Sequence, residues 1–165
     1  MNENEKILSG IFYSNTLTGL DETIKKWDFE SVNGIGFIRG INGKYAHIEL
    51  EITKPTDYPN INKIVYKVSE NQLPKEYRIE IERTLSFFIS YLNSLKTDEI
   101  QLVFCITDAT YHPVDSRPID FQNAIMKALA SCFGKTFRPI SDVDRKIINN
   151  CKEYSLKTGY NNGYK

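Results

Sequence analysis

The chain has 165 residues, with 21 Lys and Arg balanced by 21 Asp and Glu, so its formal net charge is zero. That length suits one domain with short extensions and is ample for a buried core. A hydrophobic content of 41% and a charged content of 25% are ordinary for a globular protein. The charge balance excludes a strongly basic nucleic-acid protein but leaves room for a small local basic patch.

The first six residues are polar and lead into an apolar stretch, Ile7 to Tyr13, interrupted by Ser9 and Gly10. It is too short and too broken for a signal peptide or a membrane span, which predicts a cytoplasmic chain with no membrane partner. Cys105, Cys132 and Cys151 are odd in number, far apart and set in apolar patterns with no C-x-x-C pair. They read as reduced core thiols.

Glu22 to Phe29 reads as a first strand, with Trp27 in the core, and the segments Asn33–Gly36 and Gly40–Gly43 read as breaks after it. Lys44 to Thr53 alternates, with Ala46, Ile48, Leu50 and Ile52 on one face and Tyr45, His47, Glu49 and Glu51 on the other. That predicts a half-buried strand, ended by a loop holding Pro55 and Pro59. Ile61 to Val68 is short and β-branched and reads as its hairpin partner. From Pro74 to about Asn93, Tyr77, Ile81, Leu85, Phe88 and Leu92 recur at helical spacing. Glu99 to Thr107 alternates again, with Ile100, Leu102, Phe104 and Ile106 on one face. A second helix starts near Ser116, carries Pro118 in its first turn and stops at Gly134. A third, shorter helix begins at Ser141, where Ser141-Asp-Val-Asp144 resembles a capping box. The order β-β-β-α-β-α plus a final helix predicts an α+β two-layer sandwich, a mixed four-stranded sheet with two helices on one face.

Several segments then carry a resemblance. Gly43-Lys-Tyr-Ala-His-Ile48 is close to G-Q-Y-A-H-V, Leu73-Pro-Lys-Glu-Tyr77 to I-P-K-E-Y, and Asp108-Ala-Thr-Tyr-His-Pro-Val-Asp-Ser116 to D-G-S-Y-H-D-V-D-S. Glu22-Thr-Ile24 is close to the R-E-T-I entry segment of the same pattern. In this order and at this spacing they resemble domain IV of elongation factor G, the translational GTPase that drives translocation on the ribosome. The resemblance runs from Glu22 to Ile140 and implies the fold of the second domain of ribosomal protein S5. It divides the chain into an N-terminal extension (1–21), a domain IV-like domain (22–140) and a C-terminal helix with a frayed tail (141–165). The chain departs from the pattern at Ile41, where the family has a loop glycine, and at Ala109 and Pro113. Pro113 to Phe121 is partly similar to P-V-S-T-P-A-D-F of the tetracycline-resistance ribosomal protection proteins. No G-x-x-x-x-G-K-[ST] phosphate loop occurs, which predicts a separate module without nucleotide or GTP hydrolysis.

In the family, two tip loops of domain IV touch transfer RNA and messenger RNA in the decoding centre. Matched by motif, these are Arg39 to Lys44 and Thr107 to Arg117. The resemblance implies Arg39, Asn42, Lys44, Tyr111, His112 and Arg117 as contacts, with Gly40, Gly43, Pro113, Asp115 and Ser116 shaping the loops. The residue types suit RNA: cations pair with phosphate, imidazole and phenol reach a ribose hydroxyl, and an aromatic stacks on a base. Simpler readings stand beside these. Arg39 and Lys44 read equally as solvated turn cations, His47 as a surface histidine, and Asp115 and Ser116 as helix N-cap residues. Glu49 and Glu51 read as solubilising acids on a strand face, His47 and His112 are too few for a metal site, and no Cys–His–Asp arrangement follows from spacing. The sequence therefore predicts a non-enzymatic module without cofactor. Its partner is the ribosome or structured RNA, or else a protein, as for a regulatory or immunity-type module that reuses the fold.

Overall fold

The computed structural model describes residues 17 to 159 apart from 18, 57–60 and 98. The expectations for Met1 to Tyr13, Pro59 and the Tyr160–Lys165 tail lie outside the described residues. Elements follow in the order α1 (Asp21–Lys26), β1 (Val32–Gly40), β2 (Lys44–Thr53), β3 (Lys63–Tyr66), α2 (Lys75–Leu95), β4 (Val103–Thr110), α3 (Pro118–Cys132) and α4 (Asp142–Gly159). The sheet is mixed, in the order β1-β2-β4-β3. The pairs β1–β2 and β2–β4 are antiparallel, and β3–β4 is parallel. The α+β expectation holds.

The segment read as a first strand is helix α1. Asp21 and Glu22 occupy its first turn and Lys25 and Lys26 its last, as the helix dipole favours, and Lys25 pairs with Glu22 at 2.9 Å. Trp27 follows in the core, edge-on to Phe133.

The true first strand is β1, in which Gly34 and Gly36 are not breaks, whereas Gly40–Gly43 is the turn into β2 as read. A Cβ on Gly34 would lie 2.0 Å from the Ala128 carbonyl oxygen, and one on Gly36 1.7 Å from that of Ala124. The glycines let α3 lie directly on β1, and Ala124 and Ala128 on the helix serve the same close approach.

β3 is not the hairpin partner of β2. It lies at the sheet edge beside β4, and α2 forms the crossover between these two parallel strands. β4, with Phe104 and Ile106 almost fully buried, takes the central position that a hairpin would have given to β3.

β4 also runs three residues past its predicted end. Leu50 pairs with Ile106 but Glu49 pairs with Asp108, so Thr107 is an extra residue, a bulge. The bulge inverts the alternation: Ala109, opposite Ile48, faces the core, and Asp108 and Thr110 face outward with Glu49 and His47.

Helices α2 and α3 cover one sheet face, and their stripes meet Ile48, Leu50, Ile52, Phe104 and Ile106 in the main core. The opposite face is not open at the end where β1 turns into β2. Helix α4 lies there, and Ile148 and Cys151 pack with Tyr45, Phe37, Ile140 and Ile147 in a second cluster. Tyr45 and His47, read as exposed, are consequently only 3% and 2% accessible. At 18 residues, α4 is also longer than α3, against the expected shorter helix. Its start follows the expected capping box: the Asp144 N–H donates to Ser141 Oγ at 3.2 Å, and the Ser141 N–H to Asp144 Oδ2 at 3.0 Å.

Candidate nucleic-acid interface

The two loops expected to form a tip are joined by hydrogen bonds to their backbones. The Tyr45 N–H donates to the Asp115 carbonyl at 3.2 Å, and Ser116 Oγ–H donates to the Tyr45 carbonyl at 2.7 Å. Ser116 also accepts from the His112 N–H at 2.8 Å, and its own N–H donates to the His112 carbonyl at 3.1 Å. Ser116 is thus the pin between loops rather than a helix cap. The N-cap of α3 is Arg117, whose backbone N–H and guanidinium Nε both donate to Asp120 Oδ2 at 3.1 Å. Gly43 turns the β1–β2 loop with φ of +65°, and a Cβ there would sit 3.1 Å from Asp115 Oδ1.

The loop geometry sets the state of His112. Its Nδ1 accepts the N–H groups of Val114 at 3.3 Å and Asp115 at 3.2 Å. That leaves the ring proton of the neutral imidazole on Nε2, pointing away from the loop. Asp115 Oδ2 lies 3.2 Å from the same Nδ1.

The candidate cations divide into two groups. Lys44 is exposed beside His112's loop, with Asn42 exposed in the adjoining turn. Arg39 instead donates from Nη1 to Asp144 Oδ1 at 3.0 Å, and Arg117 is paired with Asp120. Asp144 is fully buried and also takes Arg138 Nη2 at 3.0 Å. Burial alone would push its carboxyl up; the Ser141 hydroxyl and N–H and the two guanidinium groups overcome this and hold it well below the ordinary carboxylate range. Tyr111 is half-buried, with its ring 5.8 Å from that of Tyr77, so only part of it is presented outward. Gly40 pairs with Lys44 at the base of the turn, and Pro113 lies exposed between His112 and Val114. The apices of the two loops are apolar and exposed: Ile41 fully, and Val114 at 82%.

Beneath α4 runs a line of polar side chains. Tyr45 Oη lies 2.6 Å from Thr110 Oγ1, which is 3.4 Å from His47 Nδ1, and His47 Nε2 is 3.6 Å from Glu49. Burial, first of all, raises the Tyr45 phenol far above its usual range. In this line Tyr45 and His47 are buried and Glu49 is partly exposed, and among the described residues no group of three or more His, Cys, Asp or Glu is placed to hold a metal ion. No helix among the described residues is long and apolar enough to cross a membrane.

Sequence reasoning missed the part played by α4. Its Asp144 anchors Arg39, its Lys152 Nζ donates to Asp108 at 2.8 Å, and Ile148 and Cys151 cover Tyr45. The run Lys135-Thr-Phe-Arg138, cations interleaved with an aromatic, was the available sign of a second basic surface.

Among solved structures, the crystal structure of ttk003000868 from Thermus thermophilus is similar at 18% identity and a TM-score of 0.47, over 61% of this chain and 15% of that one. The chain thus spans a small part of that protein's length. A family model described as elongation factor G, domain IV, matches residues 19–136, well over half of the chain. Together with the strand, helix and loop motifs placed above, that match shows that the chain belongs to the elongation factor G domain IV family.

Proposed function

We propose that this protein is a non-enzymatic, ribosome-binding module that contacts RNA through its paired tip loops. The observation that carries the reading is the pinning of the two loops by Ser116 and Tyr45, which presents Lys44 and the Nε2 of His112 from one rigid end. A rigid loop pair loses little entropy on docking. The ionic contribution is narrow, because Arg39 and Arg117 are already paired and the chain has no net charge. Lys44 would meet phosphate, and His112 a phosphate or ribose oxygen.

A second reading, a protein-interaction module of regulatory or immunity type, is favoured by one feature. Ile41 and Val114, at the loop apices, are exposed hydrophobic side chains that suit a protein surface better than a phosphate backbone. A photo-crosslinking residue in place of Ile41 separates the two. In a ribosome-containing lysate, ribonuclease-sensitive adducts are expected; adducts that survive ribonuclease and run as protein alone would overturn the RNA reading in favour of the second.

A further inference from the structure

Away from the loop pair, a cleft of about 440 Å³ opens between the β1 edge and the α3–α4 connection. Its size falls within the range of small-molecule sites. Five of its lining residues are cations, namely Arg39, Lys127, Lys135, Arg138 and Arg145, and none is a carboxylate. In a chain with no net charge, this is a strong local concentration of positive charge. Asp144 serves Arg39 and Arg138 together, and Glu49 interacts electrostatically with Arg145. Lys127 reports the imbalance: burial first, and then the charge of Arg138, hold its ammonium below the usual lysine range. Its Nζ reaches the Phe37 carbonyl at 3.5 Å, a long hydrogen bond.

The cleft also carries an aromatic platform. Phe137 is 43% exposed, with the Lys127 and Lys135 ammonium groups 5.5 and 5.7 Å from its ring centroid. Both ammonium groups lie over the ring as cation–π partners, and an aromatic ring set among cations can take a nucleobase by stacking while its phosphate meets the cations. Ser131 and the Ile35 N–H, hydrogen-bonded to each other at 3.3 Å, add polar groups at the β1 wall. Phe137, Arg138, Pro139, Ile140 and Arg145 all lie beyond the residue 19–136 family match, so a large part of the wall is supplied by this chain's own C-terminal segment.

We infer that this cleft is a second nucleic-acid site, taking a nucleotide of a single-stranded RNA with its base on Phe137 and its phosphates against Lys127, Arg138 and Arg145. A strand is favoured over an isolated nucleotide because Arg39 belongs both to the cleft wall and to the end of β1 that leads into the loop pair. The cations therefore continue from the cleft to Lys44.

The test is fluorescence anisotropy of the full chain with a labelled single-stranded oligoribonucleotide. Lys127→Gln combined with Arg145→Gln removes two cations that make no ion pair with Asp144, so the α4 anchor stays intact. This variant is expected to weaken binding about tenfold or more and to flatten the salt dependence by roughly two phosphate contacts. Phe137→Leu is expected to weaken it about fivefold or more through lost stacking, and Lys26→Gln, on the exposed surface of α1 away from the cleft and the loops, to leave it within about twofold. Absence of binding to wild type, or equal binding by the Lys127/Arg145 variant, would overturn the inference. Competition by AMP as strong as by the strand would assign the cleft to a free mononucleotide, and equal binding of polyglutamate would assign it to acidic protein; either result overturns the RNA-strand site. Loss of binding in Lys44→Gln alone would move the strand to the loop pair and leave the cleft without a role.

Discussion

Replacing Gly36 with Ala tests the packing that positions the loop pair. The added Cβ would lie 1.7 Å from the Ala124 carbonyl oxygen, 2.6 Å from its carbon and 3.0 Å from the Ala128 nitrogen. All three are backbone atoms of α3, so no side chain can turn aside. Reaching an ordinary contact of 3.4 Å requires the helix to retreat by roughly 1.7 Å. A gap of that size forfeits much of the dispersion between α3 and β1, and overpacking of this kind costs about 3 kcal/mol. The loss of backbone freedom in the unfolded chain returns about 0.4–1 kcal/mol. The net, about 2–3 kcal/mol, corresponds to a fall in Tm of about 5–10 °C for a domain of this size. Gly40→Ala is the control: its nearest neighbours would be Lys44 side-chain atoms, the Cβ at 3.3 Å and the rest at 3.4 Å or more, a contact that a shift of a few tenths of an ångström relieves, and the predicted change is under about 1 kcal/mol. Thermal unfolding followed by far-UV circular dichroism measures both. Equal Tm values for the two variants would refute the direct seating of α3 on β1.

Other outcomes follow from the same contacts. Ser116→Ala removes hydrogen bonds to the Tyr45 carbonyl and the His112 N–H; it is expected to lower stability by about 1–2 kcal/mol and to speed amide exchange at Tyr45 and His112, and unchanged exchange would contradict the pin. Because the Asp144 carboxyl is held below its ordinary value of 3.8, it contributes stability above that pH, which is lost as the pH falls through the folded-state value. The Tm gap between wild type and Asp144→Asn should therefore stay constant above about pH 5 and shrink as the pH falls below about 4, and a gap that widens there would refute the assignment. Burial pushes the Cys132 thiol up to about 12, so it should label slowly with a thiol-specific disulfide reagent at neutral pH; rapid labelling that Cys132→Ser abolishes would contradict its packing against Gly34.

Much of the core was legible because its signals are local. The stripe from Tyr77 to Leu92 and the alternation from Ala46 to Ile52 each repeat at the period of their element, and both face the core as read. What escaped the sequence depends on contacts between distant residues. Gly34 and Gly36 read as breaks because their reason is the backbone of α3, some ninety residues away. The bulge at Thr107 inverts the alternation of β4, so Asp108 to Thr110 no longer follow the pattern that precedes them. Tyr45 and His47 read as an exposed face because a strand's own pattern says nothing about a later helix covering it. The loop pair itself was legible as two motifs, but the pairing of Arg39 with Asp144 across 105 positions was not, and it removes one of the cations expected to be free. That same pairing ties the loop end to α4 and draws Arg39 into the wall of the basic cleft.

The most direct measurement of the central claim is quantitative co-sedimentation with ribosomes at moderate salt. It compares wild type, a Lys44→Gln, His112→Asn double variant, and Lys26→Gln on the exposed surface of α1. Asn at position 112 keeps an acceptor for the loop N–H groups and removes the outward Nε2, so the loop geometry is preserved. The account predicts that wild type and Lys26→Gln pellet with ribosomes and that the double variant loses roughly tenfold in affinity, as two phosphate or ribose contacts would. A double variant that pellets as well as wild type, or a wild type that stays in the supernatant, would contradict it.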